Sequence, residues 1–219
     1  MTAAKDAGQW IRVALRNDKI ALADIADLVA LAQEALGVVV DGKPGTHTLR
    51  ALALSRDAVA LPSAEMRISR ARSVVGRGIK YKLGKGGFDP STPSPANAAG
   101  TCDCSGFASW IMGITRKPSA LFGRWIETTN IVRDATGDQD LFLMLEDPRP
   151  GSFAVYPDHD GKQGHVALVT GVDPLMGIDC SSSRSKRTGE AIHERSLAFM
   201  AKRAIFVVPK SDFAAQGDQ

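Results

Sequence analysis

The period of the apolar pattern changes along this chain, and that change limits the folds open to it. Residues 10–15 (WIRVAL) and 23–36 (ADIADLVALAQEAL) carry apolar side chains at helical spacing, among them Ile25, Leu28, Val29, Leu31 and Leu36. Residues 65–79 do the same, with Met66, Ile68, Ala71, Val74 and Val75 on one side. Residues 104–113 (CSGFASWIMG) fit a short amphipathic helix. Beyond them the pattern turns to runs rich in Val, Ile and Phe at 151–156, 165–172 and 204–208, which read as strands. Helices first and strands afterwards, without regular βαβ alternation, predict an α+β fold.

Punctuation divides the chain. Residues 56–64 (RDAVALPSA) read as a linker, which leaves a small helical module at 1–60 and a larger domain at 65–212. The first is close to the lower size limit for a unit that folds alone. Residues 84–100 (GKGGFDPSTPSPANAAG) predict a long loop, a place where function often sits. Its Gly84-Lys85 does not complete a phosphate loop, because Ile79 stands at the position of the first Gly and Gly86 replaces the Ser or Thr. The net charge of +3 is too small to argue for a nucleic-acid partner. No run approaches the roughly 20 apolar residues of a membrane-spanning helix. Met1 to Leu15 has no unbroken apolar core, so the expectation is synthesis in the cytoplasm without a signal peptide.

The cysteines point toward chemistry. Cys102, Cys104 and Cys180 make an odd count, so at least one thiol lies outside any intrachain disulfide. A C-x-C spacing without a fourth ligand argues against structural zinc, and no metal or cofactor is expected. Cys104 begins the predicted helix, with Asp103 as its N-cap. Backbone N–H groups and the helix dipole favour a thiolate there and could hold an oxyanion. The alternative is a buried cysteine acting as a small hydrophobe. His165 opens an apolar strand after a Gly- and Asp-rich loop, where a base could meet the thiol. The alternative is a strand-end histidine bonded to a carbonyl. His47, His159 and His193 lie in more polar surroundings. Asp179, one hairpin later, could orient the imidazole, or it could be a solvated strand-end carboxylate. Cys180 would point to the opposite face of that strand and reads as structural.

TCDCSGFASW, followed by PGSFAVY and GHVALVTG, resembles the NlpC/P60 family of cell-wall cysteine peptidases, over roughly residues 66–208. The resemblance implies a papain-like α+β fold with Cys104 as nucleophile, His165 as base and Asp179 as third polar residue. It also implies that Tyr81, Asp103 and Ser105 line the substrate site and bind the free amine of a short peptide stem. Pro150-Gly151-Ser152, where the family often has P-G-D, is a departure, as is Gly84-Lys85 in place of a double glycine. Asp179 is another, because His or Asn is commoner there. AQEALGVVVDGKPGTHTLRAL in the first module resembles the small helical peptidoglycan-binding module, with Gln33, Leu36, Gly37, Asp41, Gly42, Gly45 and Thr48 in register. A helical docking element for the catalytic domain is the alternative.

Together these resemblances imply a peptidoglycan hydrolase that cuts between D-glutamate and the diamino acid of the stem. An N-acetylmuramoyl-L-alanine amidase and a lipid-directed acyltransferase or thioesterase are the alternatives. By fold-level analogy, a wall module without a signal peptide suggests a phage endolysin or a delivered antibacterial toxin acting in the cell wall or periplasm. Peptidoglycan would then be the partner, with secretion machinery or an immunity protein as further ones.

Overall fold

The computed structural model describes residues 61–119 and 122–214, together with 29–30, 33–34, 40 and 43. The chain divides into two compact units, 1–59 and 60–219. In the first unit residues 29–30 and 33–34 are helical, and buried Gln33 donates through Nε2 to the Lys43 carbonyl at 3.0 Å. That bond ties Gln33 to the bend at Lys43. The remaining positions of the wall-module resemblance lie outside the described residues.

The second unit is α+β, as the change of period predicts. Its order is α1 (Ala64–Arg72), β1 (Lys80–Tyr81), β2 (Thr101–Cys102), α2 (Cys104–Ile111), α3 (Thr128–Arg133), β3 (Phe142–Leu145), β4 (Phe153–Tyr156), β5 (His165–Val172), β6 (Leu175–Cys180), α4 (Ser182–Thr188), β7 (Ile192–Ser196), β8 (Ile205–Pro209) and α5 (Ser211–Ala214). A six-stranded antiparallel sheet runs β3-β8-β4-β5-β6-β7, and β1 pairs with β2 in a separate parallel pair. The long loop predicted at 84–100 holds turns and bends but no helix or strand.

Helix α2 explains how the core is arranged. All eight of its residues are buried, so it has no solvent face and acts as the central strut of the unit. Phe107, Trp110 and Ile111 pack with Phe153, Val155, Val166, Leu168 and Ile178 in one cluster. Each large side chain buried there contributes about 1.5–3 kcal/mol. Alternation along the strands sends Ala154, Ala167 and Val169 to a second cluster with Leu197 and Met200.

Two buried charges brace this frame. The Arg67 guanidinium, wholly buried, donates to Asp212 through Nη1 (2.9 Å) and Nη2 (2.6 Å) and to the Gly151 carbonyl through Nε (2.9 Å). That joins the start of α1 to α5. The Asp134 carboxylate accepts the backbone N–H groups of Leu141 and Phe142 and so starts β3. Arg67 does not stand out in the sequence, because it acts through partners distant in the chain.

Candidate active site

The site grows from the first turn of α2. Asp103 caps it, as predicted: Oδ1 accepts the Gly106 N–H at 2.7 Å. The first intrahelical bond runs from Phe107 N–H to the Asp103 carbonyl. The N–H groups of Cys104 and Ser105 precede it and have no acceptor within the helix. Gly106 is required here by close approach. A Cβ on it would lie 2.6 Å from the Lys85 carbonyl and 2.8 Å from that of Gly86. The loop after β1 is thereby pressed against the turn that carries the thiol.

His165 stands at the first residue of β5, paired with Tyr156 of β4. Gly164 before it is also forced, since a Cβ there would meet Thr128 Oγ1 at 2.4 Å. His165 Nε2 donates to Asp179 Oδ2 at 2.6 Å. Burial, the largest influence on His165, disfavours its charge. Hydrogen bonds to Asp179 and Cys104, and the charges of both, outweigh it and lift the pKa to about 9. Asp179 is wholly buried, which alone would raise its pKa. The hydrogen bonds from His165 and Arg195 reverse that and hold it below the ordinary carboxylate value.

Tyr81, at the end of β1, faces the thiol. Burial first, and then the charges of Cys104 and Asp103, push its pKa well up, and it hydrogen-bonds Cys104. It therefore stays a phenol and a donor. Cys104, His165 and Asp179 thus lie in one cluster, with Tyr81 beside the thiol.

Asp103 and Ser105 are buried beside the thiol turn. Asp103 is 1% exposed, and its carboxylate also accepts from Gly84 N–H (2.6 Å) and Arg116 Nη1 (2.9 Å). The Ser105 hydroxyl accepts from Arg116 Nη2 at 3.1 Å and faces Asp103 Oδ1 at 3.3 Å. The two residues are held by Arg116, itself buried, which carries the opposite charge. Their bonds tie the helix end to the loop after β1 beside the thiol.

The other cysteines do not compete. Cys102 and Cys180 are wholly buried, and burial raises the Cys180 pKa well above its ordinary value. His159 is exposed beside Asp160, and His193 bonds the Glu190 carbonyl. His47 lies outside the described residues. Among the described residues no group of His, Cys, Asp or Glu is arranged to hold a metal ion, and no helix is long and apolar enough to cross a membrane.

Sequence reasoning missed two arginines at this site, Arg116 and Arg195, and two aromatic neighbours of His165. The Tyr156 and Phe199 rings each lie 6.2 Å from the imidazole. Only strand register and loop packing bring these four in, and neither is written in local sequence. No family model and no curated protein matches the chain.

Proposed function

We propose that this protein is a cysteine hydrolase of amide bonds in the peptide stem of peptidoglycan. One observation carries the chemical half of the reading: a cysteine at a helix N-terminus lies against a histidine whose Nε2 is held by a buried carboxylate. That is the order of roles needed for nucleophilic acyl transfer. The wall as substrate rests on the NlpC/P60 resemblance and on the resemblance of the first module to a peptidoglycan-binding unit, with the papain-like fold as part of the same proposal.

With the His165 pKa near 9, the imidazole carries the proton at neutral pH. The sulfur of Cys104 attacks the amide carbonyl, and a C–S bond forms. The N–H groups of Cys104 and Ser105, with the Tyr81 hydroxyl, stabilise the oxyanion. Collapse breaks the C–N bond, and His165 gives its proton to the departing amine. A thioester remains. Water then attacks it while His165 takes a proton, and a carboxylic acid leaves with the Cys104 thiolate and the His165 imidazolium restored. No step calls for a metal or cofactor.

The resemblance favours the D-glutamate–diamino acid bond. The Asp103–Arg116 pair favours a second reading, because it leaves no free carboxylate at that position for a substrate ammonium. A stem still joined to its sugar has no such ammonium, and it could be cut within the stem or, by an amidase, at the sugar–alanine bond. Mass spectrometry of digested peptidoglycan separates these. Loss of the diamino acid from stems that keep L-Ala–D-Glu marks the endopeptidase, whereas whole stem peptides with bare glycan mark the amidase. Walls left intact by a protein whose Cys104 still alkylates would refute the substrate class.

A further inference from the structure

Asp179 is held from two sides. His165 Nε2 donates to its Oδ2 at 2.6 Å. From β7, Arg195 donates through Nε to Oδ1 at 2.9 Å and through Nη2 to Oδ2 at 2.6 Å. This is the two-pronged fork by which a guanidinium fixes the plane of a carboxylate as well as its charge. Register explains how Arg195 arrives: Asp179 pairs with His193 and Gly177 with Arg195, so the arginine reaches diagonally along the sheet. Phe199 covers the guanidinium, its ring centroid 4.3 Å away, and borders the imidazole on its other side.

We infer that Arg195 is the positioning residue of the site, locking the Asp179 carboxylate so that His165 keeps one ring orientation and one proton arrangement toward Cys104. The inference rests on the catalytic cluster proposed above. A lone carboxylate could rotate about its side-chain bonds and carry the imidazole with it. Three bonds to two oxygens remove that freedom. The guanidinium also draws on the negative charge of Asp179, so the imidazolium is held less tightly and can release its proton to a leaving group. Geometry and charge are thus separate contributions from one side chain.

The charged and titratable groups around the His165–Asp179 pair come from several elements. Cys104 faces it from α2 and Tyr156 from β4, while Tyr81, from β1, and Asp103 stand beside Cys104. Arg203 lies over the Tyr156 ring at 3.9 Å and donates to its hydroxyl. Cys180 follows Asp179 on β6, and burial keeps it uncharged. Asp103 is balanced by Arg116, and Arg195 is the second cation, beside the imidazolium, in direct contact with Asp179.

The test compares the full chain with R195Q and R195K, by wall hydrolysis and by the pH dependence of Cys104 alkylation with iodoacetamide. In R195Q, hydrolysis should fall about 100-fold, the scale expected when a reacting group loses its alignment. The step in alkylation that reports His165 deprotonation should move above its position near 9, because Asp179 then acts on the imidazolium alone. R195K keeps the charge without the fork. Its step should stay near the wild-type position while hydrolysis recovers only in part. A merely structural arginine would leave the step in place in any folded variant. Wild-type hydrolysis and an unmoved step in R195Q would overturn the inference. A step that moves in a protein that never cuts walls would uphold it and refute the hydrolase reading instead.

Discussion

Asp103 Oδ1 lies 2.9 Å from Arg116 Nη1, and both side chains are almost wholly excluded from water. The pair sits directly beneath the thiol turn and ties α2 to the loop after β1. Breaking it from one side leaves a buried charge without its counterion. Arg116→Met should therefore destabilise the protein by roughly 3–5 kcal/mol, read as a lower denaturant midpoint. A loss below about 1 kcal/mol would show that Gly84 and Gly106 hold Asp103 without help.

The nucleophile can be tested against its neighbours. Cys104→Ala should abolish wall hydrolysis while the fold persists, and Cys180→Ala should keep activity. Cys104 also raises the pKa of His165, through a hydrogen bond and through charge. In Cys104→Ala the imidazole should titrate clearly below 9, as followed by NMR of the ring. Substantial hydrolysis in Cys104→Ala would end the mechanism.

Several of these features could be read in the sequence because they are local. An N-cap Asp, a Cys at the first helical position and a His opening an apolar strand are fixed by neighbours within a few residues, and the structure keeps all three in those places. Strands β4, β5 and β8 announce themselves through Val, Ile and Phe. Strand β7, with the sequence IHERS, does not, because its consecutive charged residues Glu194 and Arg195 point to opposite faces of an edge strand and interrupt the apolar pattern. Arg195 is hidden there for that reason. Arg116 is hidden in a loop whose path to Asp103 depends on the tight packing of Gly86 and Gly87. Asp103 itself reads equally well as cap, substrate ligand or ion-pair partner, and only the position of Arg116 decides among them.

Alkaline pH should weaken both activity and stability. The folded pKa of His165 is raised from 6.5 to about 9. A raised pKa means that the proton stabilises the folded state. Its contribution is complete below pH 6.5 and is lost as pH rises through about 9. Hydrolysis should fall along the same limb, because the leaving amine loses its proton donor. Thermal unfolding at pH 6, 8 and 10 checks the first effect, and Cys104→Ala should narrow the spread. A Tm independent of pH over that range would contradict it.

Gly106 tests the geometry of the thiol turn. Its missing Cβ leaves room for the Lys85 and Gly86 carbonyls, both backbone atoms that cannot swing aside. Gly106→Ala should destabilise by roughly 1–3 kcal/mol through overpacking. It should also displace Cys104 and lower hydrolysis more than stability alone accounts for. A denaturant titration beside a rate measurement at low temperature separates the two effects. An unaltered rate in the folded variant would mean that the loop yields rather than the helix.

The choice of substrate follows from the occupied carboxylate. Recognition of a free stem amine needs an accessible negative charge near the thiol, and Asp103, the carboxylate beside it, is 1% exposed and paired with Arg116. Lys82, Lys85 and Lys117 belong to the same loops, which makes an incoming ammonium less welcome still. A stem whose N-terminus is acylated by its sugar brings no charge there. The free tripeptide L-Ala–D-Glu–diaminopimelate and the same tripeptide joined to N-acetylmuramic acid form the matched pair. The sugar-linked compound should be cleaved at least as fast as the free one, whichever of its amide bonds is cut. A preference of tenfold or more for the free amine, about 1.4 kcal/mol in the transition state, would mean that Arg116 moves aside on binding and returns Asp103 to the substrate.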